Sequence, residues 1–173
     1  ATIVDINNDG FEDIVVISSG IKTLKNLDGL GNFEKPISIA STENIYGIQD
    51  IEVKDINGDN FVDIVFIHDS FSDGVRIMWI QNNGAGAFGD PIELTQLNNS
   101  SNLRLQVEDI DGDGDNDISF GNGGYIGWLD NNNATFSEKP LLGGNYITGI
   151  TYDSYYLIDV DLSLIHISEP TRR

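Results

Sequence analysis

The chain has 173 residues, 39% of them hydrophobic, and a formal net charge of -19. That is apolar enough for one domain with a core, while an acidic surface of this strength argues against nucleic acid or anionic membrane as a partner. Cysteine is absent, so neither a disulfide framework nor a thiolate metal site is available, and no apolar run is long enough to insert in a membrane.

Ala1 opens directly inside a strand, without an initiator methionine or a basic-then-apolar leader, which reads as a true N-terminus lying upstream. Ile3 and Val4 end that strand, and Asp5 to Asp13 follow as D-I-N-N-D-G-F-E-D. Ile14 to Ile17 predict a second strand, Ser18-Ser19-Gly20 a turn, and Ile21 to Asn26 a third strand. Asp28-Gly29-Leu30-Gly31 then turn the chain towards Phe33 and a fourth strand, Pro36 to Ala40.

The next unit repeats this order. Ile51 and Val53 precede D-I-N-G-D-N-F-V-D from Asp55 to Asp63. After Ile64 to Ile67 come a turn at Asp69 to Gly74, the strand Val75 to Ile80, a turn at Asn82 to Gly86, Phe88, and Pro91 to Leu94. In the third unit Leu103, Leu105 and Val107 lead into D-I-D-G-D-G-D-N-D from Asp109 to Asp117. Ile118 to Phe120, a turn at Gly121 to Gly124 and Tyr125 to Leu129 follow. The turn Asn131 to Asn133 is shorter and has no glycine, and Phe136 and Pro140 to Leu142 close the unit. A fourth copy starts at Asp159-Val160-Asp161 and stops.

Carboxylates at alternate positions crowd negative charge that a cation relieves. Side-chain oxygens at positions 1, 3, 5 and 9 with the carbonyl of position 7 form the all-oxygen set that suits calcium, whereas magnesium keeps more water. The first set is Asp5, Asn7, Asp9 and Asp13 with the Phe11 carbonyl. The second is Asp55, Asn57, Asp59 and Asp63 with Phe61, and the third Asp109, Asp111, Asp113 and Asp117 with Asp115. Gly112 and Gly114 allow the tight wrap, and Asn60 replaces the position-6 glycine at small cost. With Asn57 and Asn60, the second loop is expected to be the weakest of the three. The competing explanation is that Asp and Asn merely form Asx-turns in ordinary hairpins.

An EF-hand would place a bidentate Glu at position 12 between helices. Here position 9 is Asp and is followed at once by Ile-Val-Val, Ile-Val-Phe or Ile-Ser-Phe, so each loop is expected at the turn of a β-hairpin. Loop starts at 5, 55, 109 and 159 are spaced by 50, 54 and 50 residues. Four strands per such period predict an all-β chain, a partial β-propeller of about three four-stranded antiparallel blades plus the first strand of a fourth. The repeats are drawn at about 1–46, 47–100, 101–147 and 148–161. The pairs Leu24 and Phe33, Trp79 and Phe88, and Trp128 and Phe136 are expected to pack between blades.

The frame D-x-[DN]-x-D-[GN]-x-x-D-[IV], followed by W-[IL]-x-N and N-x-G-x-G-x-F, resembles the FG-GAP or VCBS repeats of integrin-α-like β-propellers. The resemblance covers Ala1 to about Asp161. It implies calcium in the acidic loops, a ring of about seven blades, and a cell-adhesion or ligand-binding role. Residues 162–173 include L-S-L-I-H-I-S-E-P-T-R, which resembles a translated sequencing adapter and is set aside as a non-native tail; the alternative is an outer strand, Leu162 to Ile167.

Calcium loops of extracellular modules bind at roughly 0.1 to 1 mM, so secretion or surface display is expected, with a protein or glycan ligand on one rim. The competing expectation is an accessory propeller that positions carbohydrate within a larger secreted polysaccharide-active enzyme. Catalysis by the chain itself is not expected. His68 is the one histidine outside the tail, and a carboxylate pair could be drawn from Asp50, Glu52, Asp69, Asp73 or Glu108 without spacing choosing between them.

Overall fold

The computed structural model describes residues 1–39, 47–70, 74–84, 86–97, 102–122 and 125–139. Among the described residues twelve strands form three four-stranded antiparallel sheets. The first contains β1 (Thr2–Val4), β2 (Asp13–Ile17), β3 (Ile21–Leu24) and β4 (Ile37–Ser38). The second contains β5 (Ile48–Lys54), β6 (Asp63–Ser70), β7 (Gly74–Ile80) and β8 (Ile92–Leu97). The third contains β9 (Arg104–Glu108), β10 (Asp117–Asn122), β11 (Tyr125–Asn132) and β12 (Thr135–Lys139). Within each sheet the strands lie in chain order, as in the blades of a β-propeller. The expected strand at 148–161, the tail at 162–173, Asp73 and the strand expected at Pro140 to Leu142 lie outside the described residues.

The middle sheet explains its own sequence. Ile64, Val65, Phe66 and Ile67 of β6 are all fully buried, although alternate residues of a strand face opposite ways. Ile64 and Phe66 pack with Ile6, Val15, Ile21 and Ile51 at the junction with the first sheet. Val65 and Ile67 pack with Leu103, Leu105, Ile118 and Leu129 at the junction with the third. A strand covered on both faces therefore reads as a continuous apolar run, and each such side chain contributes about 1.5–3 kcal/mol by burial.

Polar side chains of β5 cover the exposed edge of β9. A bulge between Ile48 and Asp50 interrupts the alternation at Gln49. Gln49 then accepts from the Leu103 amide and Asp50 from the Leu105 amide, both at 3.0 Å. Lys54 donates to the Val107 carbonyl at 2.8 Å and pairs with Glu108 at 2.8 Å. Backbone groups of β9 that would otherwise be open to strand addition are thereby occupied.

Four expectations are corrected. Asp69 lies within β6, opposite Val75, and accepts from Gln49 Nε2 at 2.9 Å, so the strand runs into the expected turn. Gly121 likewise belongs to β10. In the third sheet Asn131 and Asn132 are still β11, and Phe136 lies inside the fourth strand, because the turn is only Asn133-Ala134, with φ of 50° and 62°. Two consecutive residues in that region make the tight hairpin whose twist matches its strands, and β12 can start at once. Finally, the position of Trp79 and Trp128 is filled in the first sheet by buried Thr23 rather than Leu24, since Thr23 faces Val15 as Trp79 faces Val65 and Trp128 faces Ser119.

The aromatic expectation holds at the second junction, where Trp79 and Phe136 meet edge to face with centroids 6.0 Å apart. Phe88 packs at the first junction. Phe33 is 39% exposed. His68 is within β6, half-buried, opposite Ile48 and Arg76.

Candidate metal centre

All three acidic loops connect the first and second strands of their sheets, so each is a hairpin turn, as the sequence predicts. Their backbones follow one pattern. Positions 4 and 6 have positive φ in every loop: Asn8 and Gly10, Gly58 and Asn60, Gly112 and Gly114. Asn60 adopts 67°, the conformation asked of it at position 6.

Position 1 accepts amides on both oxygens. Asp5 takes those of Asp9 (3.2 Å) and Gly10 (2.8 Å), Asp55 those of Gly58 (2.9 Å) and Asn60 (2.8 Å), and Asp109 those of Gly112 (2.8 Å) and Gly114 (3.1 Å). Position 3 accepts the position-5 amide in each loop, through Asn7, Asn57 and Asp111. Position 5, Asp9, Asp59 or Asp113, accepts the position-7 amide at 2.9 Å. These are Asx-type bonds, and they point several carboxylates inwards at once. Each oxygen keeps a further lone pair for another partner.

The loops differ at position 3. Asn7 and Asn57 donate from Nδ2 to the position-5 carboxylates Asp9 and Asp59, both at 2.9 Å. Asp111 cannot donate in that way when ionised. In the third loop, oxygens of Asp109, Asp111 and Asp117 all lie within 4.8 Å of one another, a convergence of acidic side chains found in no other loop among the described residues. Two oxygens on one calcium at about 2.4 Å can be no more than about 4.8 Å apart, so this donor set fits the ion in both spacing and chemistry. Asp113 is not part of that triad. Burial raises the Asp111 carboxyl above its ordinary value, and the charges of Asp113 and Asp130 add to the effect.

Position 9 has a second duty. Asp13, Asp63 and Asp117 are fully buried. One oxygen of Asp13 accepts the amide of Ile6 at 3.1 Å and one of Asp117 that of Ile110 at 2.9 Å. The other oxygen takes the amide of an asparagine just past the third strand or near its end: Asn26 at 2.7 Å, Asn82 at 2.8 Å or Asn131 at 2.8 Å. In the second sheet Trp79 Nε1 also donates to Asp63 at 3.0 Å. Burial pushes the Asp63 carboxyl up to about 6, against the pull of these donors, and raises Asp117 in the same way.

Those asparagines are the functional positions that the sequence reading did not assign. Asn82 Nδ2 donates to the Val62 carbonyl at 3.0 Å and, across the junction, to the Ile6 carbonyl of the first loop at 2.8 Å. Asn131 Nδ2 repeats this with Asn116 (2.8 Å) and Ile56 of the second loop (2.7 Å). Their Oδ1 atoms accept the amides of Gly84 and Ala134. Side chains between loops add Asn8 to the Asn60 carbonyl (3.2 Å) and Asn116 to the Asp55 carbonyl (2.7 Å). The signal was visible as the last letter of W-[IL]-x-N.

Position 7 braces each loop against its neighbour turn. The Phe11 ring lies over Gly29, where a Cβ would meet it at 2.6 Å, and Phe61 lies over Gly84, where a Cβ would meet it at 2.5 Å. In the third sheet Asp115 replaces the aromatic residue and its carboxylate accepts the Asn133 amide at 2.7 Å. This pairing explains why the third turn has no glycine: there is no ring to accommodate.

Three chain-ordered sheets, each with an acidic hairpin loop between its first two strands, define a partial β-propeller of repeated blades. The FG-GAP-like repeat model matches residues 5–66 and 55–118, and the chain belongs to that family. No curated protein matches the chain. Among solved structures it is similar to one described as the basis of specific recognition of non-reducing terminal N-acetylglucosamine by an Agrocybe aegerita lectin, at 22% identity and a TM-score of 0.59. That likeness covers 81% of this chain and spans 36% of the other, and it concerns the fold.

Proposed function

We propose that this chain is the calcium-binding repeat region of an extracellular or cell-surface β-propeller that serves as a ligand-binding or adhesion scaffold. The convergence of Asp109, Asp111 and Asp117 supports calcium most directly. The same donor frame in the other loops extends the reading to Asp5, Asn7, Asp9 and Asp13 with the Phe11 carbonyl, and to Asp55, Asn57, Asp59 and Asp63 with Phe61. In the third loop Asp113 and the Asp115 carbonyl would complete the set. Calcium in such a loop supplies positive charge and cross-links carboxylates that otherwise repel.

The chain's own residues carry that effect into the scaffold. The position-9 carboxylate touches both the loop and the junction asparagine, so ordering the loop also orders the contact between blades. A site held at about a hundred times its dissociation constant adds about 2.7 kcal/mol. Millimolar affinity would fill such sites outside the cell and leave them largely empty in cytosol, which is the basis for the proposed location.

For the ligand, a glycan is the reading we favour, supported by the shared fold of a lectin described as recognising terminal N-acetylglucosamine. The chain then binds rather than turns over its ligand, either alone in an adhesion protein or as the carbohydrate-positioning part of a larger polysaccharide-active enzyme. A glycan array probed with calcium and after metal stripping tests this. Calcium-dependent binding to a restricted set of sugars is expected; binding to matrix proteins with no sugar bound would overturn the glycan reading.

A further inference from the structure

We propose that Asn116 is a positioning residue for the acidic loop of the preceding repeat, linking the second and third loops so that a cation held by either favours a cation in the other. The inference rests on reading the loops as calcium sites. Asn116 is outside the ligand frame. It occupies position 8 of the third loop, between Asp115 and Asp117, and its Nδ2 donates to the main-chain carbonyl of Asp55 at 2.7 Å. Asp55 is position 1 of the second loop, where its two carboxylate oxygens hold the amides of Gly58 and Asn60.

One hydrogen bond therefore joins the backbone of a candidate ligand residue in one loop to a side chain flanked by two candidate ligands in the next. A second contact runs beside it. Asn131 Nδ2 donates to the Asn116 carbonyl at 2.8 Å and to the Ile56 carbonyl at 2.7 Å, so positions 1 and 2 of the second loop are both held from the third sheet. An ion in the third loop fixes the residues on either side of Asn116, and with them the donor to Asp55. An ion in the second loop fixes the acceptor. Each site then binds beside a partly ordered neighbour and loses less conformational freedom, an effect that is reciprocal by linkage.

The first junction is built differently. Position 8 of the second loop is Val62, whose side chain has no donor. The bridge there runs from Asn8 Nδ2, position 4 of the first loop, to the Asn60 carbonyl, position 6 of the second, at 3.2 Å between exposed residues. Water competes for that bond more than for the half-buried one made by Asn116. The linkage is therefore stronger between the second and third loops than between the first and second.

Calcium titration of the full chain, followed by the amide NMR signals of Gly10, Gly58 and Gly112, reads the three loops separately. Asp113→Asn weakens the third loop, which the Gly112 signal checks, and its effect on the Gly58 midpoint is compared with and without Asn116→Ala. Repulsion between two bound ions acts in both backgrounds and cancels in the comparison. Weakening the third loop is expected to raise the Gly58 midpoint about fivefold more when Asn116 is present than when it is replaced, the order that one hydrogen bond carries. The matching comparison at the first junction, Asp9→Asn with and without Asn8→Ala, is expected to give a smaller factor, and a larger one would reverse the ranking. An equal change in the Gly58 midpoint with and without Asn116 would overturn the linkage while leaving calcium binding intact. No movement of the three signals up to millimolar calcium would overturn both readings. If Asn116→Ala does not fold, Asn116→Asp, which keeps the size and removes the donor, takes its place in the same comparison.

Discussion

Asn82 Nδ2 and the Ile6 carbonyl meet at 2.8 Å although 76 residues separate them in the chain. Asn131 and Ile56 form the same bond at 2.7 Å one repeat later. Each couples the interior of one blade to the acidic loop of the blade before it. Among the described residues the Asn26 side chain has only local partners, donating to the Glu12 carbonyl and accepting from the Gly29 amide.

The first prediction separates these asparagines. Asn82→Ala and Asn131→Ala leave buried carbonyls without donors and should each cost about 2–4 kcal/mol, while Asn26→Ala should cost clearly less. Urea denaturation measures the order. Equal losses at all three positions would show that the cross-junction bond contributes little.

The second concerns Gly84, whose φ is +88° and whose absent Cβ leaves room for the Phe61 ring. Gly84→Ala should destabilise by about 1–3 kcal/mol, through the ring contact and the backbone conformation together. Adding Phe61→Ala removes only the ring contact, so the double variant should be less unstable than the sum of the single ones. Strict additivity in a double-mutant cycle would count against ring packing as the reason for the glycine.

Metal removal gives the third. Melting in millimolar calcium should exceed melting in chelator by well over 5 °C, given about 2.7 kcal/mol for each well-filled site and roughly 2–8 °C per kcal/mol for domains of this size range. Identical melting temperatures would remove calcium from the account of stability.

The fourth is a dependence on pH in the metal-stripped protein. Burial holds the Asp63 carboxyl at about 6, against an ordinary value of 3.8. Burial also raises Glu52, with the charge of Asp50 adding to it. Between the unfolded and folded values the native chain keeps a proton that the unfolded chain has lost. The stabilisation from that proton is therefore greatest below the unfolded value and is lost as pH rises through about 6. Stripped protein should melt higher near about pH 5 than near about pH 7.5, and saturating calcium should reduce or reverse the difference. A rise in melting temperature over that interval without metal would contradict the assignment.

What the sequence disclosed follows from the range over which each interaction acts. The loops were legible because their donors are neighbours in the chain and recur at a steady period, and β6 was legible because burial on both faces leaves an unbroken apolar run. The role of Asn82 was not, since its partner Ile6 lies a whole repeat away and donates no side-chain signal. Thr23 escaped because a small hydroxyl residue fills a place that tryptophan takes twice, and Asp69 was placed in a turn because β6 and β7 continue pairing past the apolar residues. The shift of β12 traces to Asn133 and Ala134, where a two-residue turn replaced the longer glycine-bearing one.

The asparagine-to-isoleucine joint is directional, since one repeat supplies the donor and its predecessor the acceptor. A coupling of this polarity uses unlike surfaces on its two sides and can be applied again by any further copy. Whether successive applications return to their starting point or climb as a spiral depends on the rotation made at each joint. The few atoms around Asn82 and Asn131 therefore help to govern the curvature of the whole assembly, and a small change in their hydrogen-bond geometry would accumulate with every blade added.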